Sequence, residues 1–158
     1  MRWHLMVEED PRCYQRGLIL WPRHPTTRGR LLFLVESADI YRYLKRGRIV
    51  KFGVVTTNIG NAYSTTTGIF RCPVAGLYLF SCNVLGDKIG WVTLYVYKNG
   101  VPIARPYTGV GIKEHESGSD SAVVHAEAGD EIYSTDIGGT SVYLDTMSRF
   151  SGVLLNAD

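Results

Sequence analysis

Gly76-Leu77-Tyr78-Leu79-Phe80-Ser81-Cys82-Asn83-Val84-Leu85 reads as one long β-strand, and its alternation decides the fold. Successive strand side chains point to opposite faces, so Tyr78, Phe80 and Cys82 share one face and Leu77, Leu79 and Ser81 the other. Both faces carry apolar groups near the start of the strand. In a lone sandwich one face of each sheet meets the core and the other meets water. Leu77 and Leu79 therefore call for a second covering surface, most simply a symmetry-related copy of the chain.

Working outward, Trp91-Val92-Thr93-Leu94-Tyr95-Val96-Tyr97 shows the same period of two, rich in β-branched and aromatic residues. Asn99-Gly100 follows, a pair that tolerates positive φ at both turn positions and so predicts a tight hairpin. Pro102 in the returning strand lacks a backbone donor, which suits an edge. In Ala122-Val123-Val124-His125-Ala126 the small apolar residues 122, 124 and 126 suit an interior, which turns Val123 and His125 to the other side with Leu77 and Leu79. Gly129-Asp130 is a turn into Glu131–Thr135, Leu31–Val35 fits a first strand, and Phe150–Leu155 closes the chain. Ser37–Gly47 alone has helical spacing, with a serine N-cap and a glycine stop. Many short strands with such turn spacing predict a sandwich or jelly roll.

The 158 residues fit one domain over residues 31–158 with an N-terminal extension over residues 1–30, expected to be flexible. The extension holds six arginines against three acids, +3 of the chain's net +2, leaving −1 for the domain. A near-neutral domain has no footprint for phosphate backbones, which argues against a nucleic-acid partner. No apolar run approaches membrane-spanning length, and none in the first thirty residues makes a signal-peptide core. Three cysteines, Cys13, Cys72 and Cys82, give neither zinc spacing nor a disulfide framework. Cys72–Leu77 reads as a hairpin turn with residue 72 opposite residue 77. Cys82 then lies roughly 16 Å along its strand, beyond the ~7 Å reach of a disulfide, so both are expected as buried free thiols.

Several phrases resemble the C1q globular-domain family, which shares its jelly roll with tumour necrosis factor. They are Asn58-Ile59-Gly60-Asn61-Ala62-Tyr63, Thr67-Gly68-Ile69-Phe70-Arg71-Cys72-Pro73, Gly76-Leu77-Tyr78-Leu79-Phe80, Lys98-Asn99-Gly100, Ser121-Ala122-Val123-Val124-His125 and Phe150-Ser151-Gly152. Order and spacing agree over roughly residues 31–156. The resemblance implies an all-β, ten-stranded jelly-roll sandwich assembled as a homotrimer, secreted, and used for recognition. It makes Leu77, Leu79, Val123 and His125 the trimer-facing set. Some relatives bind calcium at positions that fall here on Thr108 and Glu116, and Thr108 carries no carboxylate.

The loop Glu114-His115-Glu116-Ser117-Gly118-Ser119-Asp120 gathers oxygen ligands, so Glu116 and Asp120 are the candidate calcium ligands, with Asp136 and Asp145 behind them. Calcium is not required by the fold. Tyr107, Tyr133 and Tyr143 sit near predicted turns, where amphipathic rings suit contact with a sugar or protein. His125 with Glu127 and Ser121 invites a triad reading, but no nucleophile elbow or oxyanion glycine motif accompanies them, and no catalysis is expected. The expected function is a secreted trimeric recognition module of innate immunity binding microbial surface glycans. The alternatives are a cytokine-like ligand for a cell-surface receptor and a structural oligomerisation domain.

Overall fold

The computed structural model describes residues 32–37, 46–86, 90–109, 115–139 and 147–158. The extension over residues 1–30, with Cys13, lies outside them, as does most of the helical turn expected over Ser37–Gly47.

Among the described residues eleven strands form: β1 (Leu32–Glu36), β2 (Val54–Asn58), β3 (Tyr63–Ser64), β4 (Ile69–Arg71), β5 (Gly76–Leu85), β6 (Val92–Lys98), β7 (Val101–Ala104), β8 (Tyr107–Thr108), β9 (Ser117–Ala126), β10 (Glu131–Gly139) and β11 (Arg149–Ala157). Sheet A has the order β2-β1-β11-β5-β9, and sheet B the order β3-β4-β10-β6-β7, with two-residue β8 added beside β6. The ten strands on these two paths are the expected jelly roll. Every pairing is antiparallel.

Alternation supplies the core. The buried sides of β5, β6 and β11 bring Tyr78, Phe80, Cys82, Leu94, Val96 and Phe150 between the sheets, each with essentially no exposure. Phe33 is the hub of the aromatic packing, stacked on Phe70 at 4.6 Å and edge-on to Phe150 at 5.0 Å between ring centroids. Gly152 makes room for this. It sits in register between Phe33 and Phe80, and a Cβ there would collide with both rings. Burying each phenylalanine contributes about 2–3 kcal/mol.

Asn99 and Gly100 adopt φ of 49° and 84° and join β6 to β7, and Pro102 lies on the edge of sheet B. One local expectation needs correction. Cys72–Gly76 is no hairpin turn but a corner that carries the chain from sheet B to sheet A. Cys72 stays tied to the turn before β10 through Cys72 N–H to Asp130 O (2.9 Å) and Gly129 N–H to Cys72 O (2.7 Å). Gly76 meanwhile starts a strand whose neighbours are β9 and β11. Proline and glycine serve a sandwich corner as well as a hairpin, so local turn chemistry does not separate the two. The thiols of Cys72 and Cys82 are nonetheless free and buried, and burial pushes each up to about 12.

Candidate functional site: two outward faces

A jelly roll offers two outward sheet faces, and here they differ in chemistry. On sheet A, register aligns Val153, Leu79 and Val123 across β11, β5 and β9, with Leu77 beside His125 in the flanking row. Val123 is 56% exposed, Leu155 49% and Leu77 38%, high values for aliphatic side chains. The next row is polar: Ser151, Ser81 and Ser121 align, and Ser121 Oγ donates to Ser81 Oγ at 2.9 Å. Beyond it Arg149 pairs with Glu36 at 3.0 Å, and Asn83 donates to Ser117 Oγ at 2.8 Å. A hollow of about 510 Å³ opens over this polar half, lined by Leu34, Ser81, Asn83, Ser117, Met147 and Arg149 among others.

Alternation thus places Leu77, Leu79, Val123 and His125 on one outward face. Sequence reasoning set Glu127 and Ser121 beside His125. The structure adds a closer partner from the end of the chain: Nε2 lies 2.9 Å from an Asp158 carboxylate oxygen, against 3.7 Å from Nδ1 to Glu127. The His125 carbonyl accepts from Lys98 Nζ at 2.8 Å, and Lys98 also pairs with Asp130 at 3.1 Å, tying the two sheets together at this end. Hydrogen bonds from the Asn99 side chain and the Glu127 amide, helped by Lys98, hold the Asp130 carboxyl below its ordinary value. Ser121 is bonded to Ser81 while His125 is bonded to Asp158, so these residues do not form a nucleophile–base pair.

The candidate calcium residues lie at and just ahead of the start of β9. Glu116 is exposed just ahead of β9. Asp120 uses one oxygen to accept from Arg105 N–H at 2.7 Å and the other from Ser121 N–H at 2.8 Å. Thr108 and Asp136 are buried, and Asp145 lies outside the described residues. Among the described residues, no three His, Cys, Asp or Glu side chains converge as a metal site would need.

The outward face of sheet B is aromatic. Tyr133 stacks on Tyr97 at 5.7 Å, Tyr97 meets Tyr95 edge-on at 5.8 Å, and the Arg105 guanidinium lies 5.3 Å from the Tyr95 ring centre. All three tyrosines are half-buried, each covered by its neighbours. Of the tyrosines expected near turns, Tyr133 belongs to this row within β10, Tyr107 is 47% exposed on β8, and Tyr143 lies outside the described residues. Sequence reasoning missed Tyr95 and Tyr97, although their alternation with Leu94 and Val96 already placed them opposite the core.

Among the described residues no helix is long and apolar enough to cross a membrane. The C1q domain family matches residues 32–155. Zebrafish (Danio rerio) caprin-2 is 30% identical over 156 residues, covering 95% of this chain and 17% of caprin-2, so the likeness reaches ahead of residue 31. Mouse (Mus musculus) complement C1q tumor necrosis factor-related protein 3 is 31% identical over 129 residues, covering 80% of this chain and 51% of its own. The chain thus spans about half or less of these relatives. Among solved structures, the globular domain of zebrafish complement 1qA protein superposes with a TM-score of 0.68 at 18% identity, covering 82% of this chain and all of that one. Murine APRIL gives 0.61 at 15% identity, covering 80% and 100%, a likeness of fold. The match along the whole sandwich makes this chain a member of the C1q domain family, with a fold suited to binding ligands or to oligomerising.

Proposed function

We propose that the protein is a secreted homotrimeric recognition module, without catalytic activity, that binds microbial surface glycans in innate immunity. The observation that carries the reading is the exposed aliphatic patch of Leu77, Val123 and Leu155 on the outward face of sheet A, where Val123 is in register with Leu79 and Val153. A solvent-facing sheet is normally polar, so such a row fits a surface covered by further copies of the chain. Membership of the C1q domain family supports three copies as the closed assembly and recognition as its use. Secretion rests on the same kinship, through relatives named complement C1q tumor necrosis factor-related protein 3.

Purified protein screened against a glycan array and lipopolysaccharide, with and without calcium, tests the ligand. Saturable glycan binding supports the reading. Absence of glycan binding together with receptor-dependent attachment to cells would replace it with the cytokine-like alternative. Calcium, where it matters, acts through Glu116 or Asp120, and substituting both should abolish any rise in melting temperature that calcium gives.

A further inference from the structure

The described cations fall into two groups. Arg71 pairs with Glu131, Lys98 with Asp130 and Arg149 with Glu36, while Arg105 lies over the Tyr95 ring. Arg46, Arg48 and Lys51 are different. All three are exposed, and none has a carboxylate partner among the described residues. They stand within six residues of one another, and residues 40–53 contain no acid to balance them.

Nor are they on a loose tail. Gly47 N–H donates to Asp136 O at 2.6 Å, Asp136 N–H to Arg48 O at 3.2 Å and Val50 N–H to Ser134 O at 2.8 Å, with a bridge between Ile49 and Thr135. The segment therefore runs antiparallel to β10, past the end of β4, as an extra length of sheet B. Val50 and Phe52 are buried in the core and anchor it from below. Three cations are thus carried on a segment whose backbone is fixed between residues 47 and 50. Fixing the track in advance removes much of the ordering cost that a flexible basic tail would meet on binding.

We infer that the Arg46–Lys51 segment is a docking track for a sulfated polysaccharide. An anionic chain of spaced charges complements a row of unpaired cations. The exposed positions between residues 46 and 53 are Arg46, Gly47, Arg48, Lys51 and Gly53, which include no aromatic ring on which a nucleobase would stack. The inference deepens the recognition reading and rests on it for the ligand being a glycan. Three copies in one trimer would present three tracks, so a long polymer would bind through avidity.

The test is retention of the full chain on immobilised heparin, with elution by sodium chloride. The parent protein should bind and elute well above physiological salt, because screening weakens such contacts steeply. The R46S/R48S/K51S variant should elute at less than half the parent's salt concentration, with unchanged melting temperature and mass, since these side chains are exposed and unpaired. A second variant with the six arginines of residues 1–30 changed to serine should elute close to the parent. If the second variant loses retention and the first keeps it, the track is wrong and the extension is the binder. Equal retention on desulfated heparin, or tighter binding to phosphatidylserine vesicles, would also overturn the inference. Parent protein that flows through overturns it while leaving the recognition reading to the array of uncharged glycans. Retention of protein that proves monomeric contradicts the trimer and leaves the track standing.

Discussion

The two outward faces of this sandwich are built by the same alternation and end in opposite conditions. On sheet B, Tyr95, Tyr97 and Tyr133 lean on one another and on Arg105, so their rings are half-covered within a single chain. On sheet A, Val123 and Leu155 stand about half exposed. Tyrosine rings have apolar bodies and polar ends, and a row of them makes a tolerable water-facing surface. Valine and leucine have no polar end, and the proposed assembly would cover the row on sheet A with further copies of the chain. Outward position alone therefore does not mark an interface. The chemistry of the outward residue does.

Substitutions that separate the faces sharpen this contrast. Phe150→Ala strikes the core beneath both and should cost about 3–5 kcal/mol in chemical denaturation, unfolding the protein at lower denaturant whatever its assembly state. Tyr97→Ala removes two ring contacts from sheet B alone. It should cost about 1–2 kcal/mol and leave the molecular mass in solution unchanged. A fall in mass would mean that the aromatic face also takes part in assembly. The smallest effect belongs to acid. Asp130 is held below its ordinary value in the fold, so its contribution is complete above the unfolded carboxyl value and lost as pH falls through the folded one. Asp130→Asn should flatten the decline of melting temperature below about pH 4, with little change in either face.

How much of this could be read from the chain depends on the range of the information. The alternation of Gly76–Leu85, the Asn99-Gly100 hairpin and the edge position of Pro102 are local, and they were legible. The destination of β5 was not. It pairs with β9 and β11, whose partner residues lie some 30 to 80 positions further on, and nothing in Cys72-Pro73-Val74-Ala75-Gly76 tells which sheet the chain will enter. The partner of Asp120 was hidden for a similar reason, since the Arg105 amide that its carboxylate accepts from comes from the opposite sheet. Asp158 beside His125 was equally hidden. The unpaired cations of residues 46–51 were masked differently: a net charge of −1 over residues 31–158 averages a basic segment against acids that lie elsewhere in the fold.

The central claim is that the aliphatic row on sheet A holds copies of the chain together. Light scattering of the protein at micromolar concentration, beside a Leu79→Glu, Val123→Glu double variant, tests it most directly. The account predicts three times the chain mass for the parent and a single-chain mass for the variant, with strand content unchanged by circular dichroism. A parent protein of single-chain mass, or a variant that keeps the mass of three chains, would contradict it.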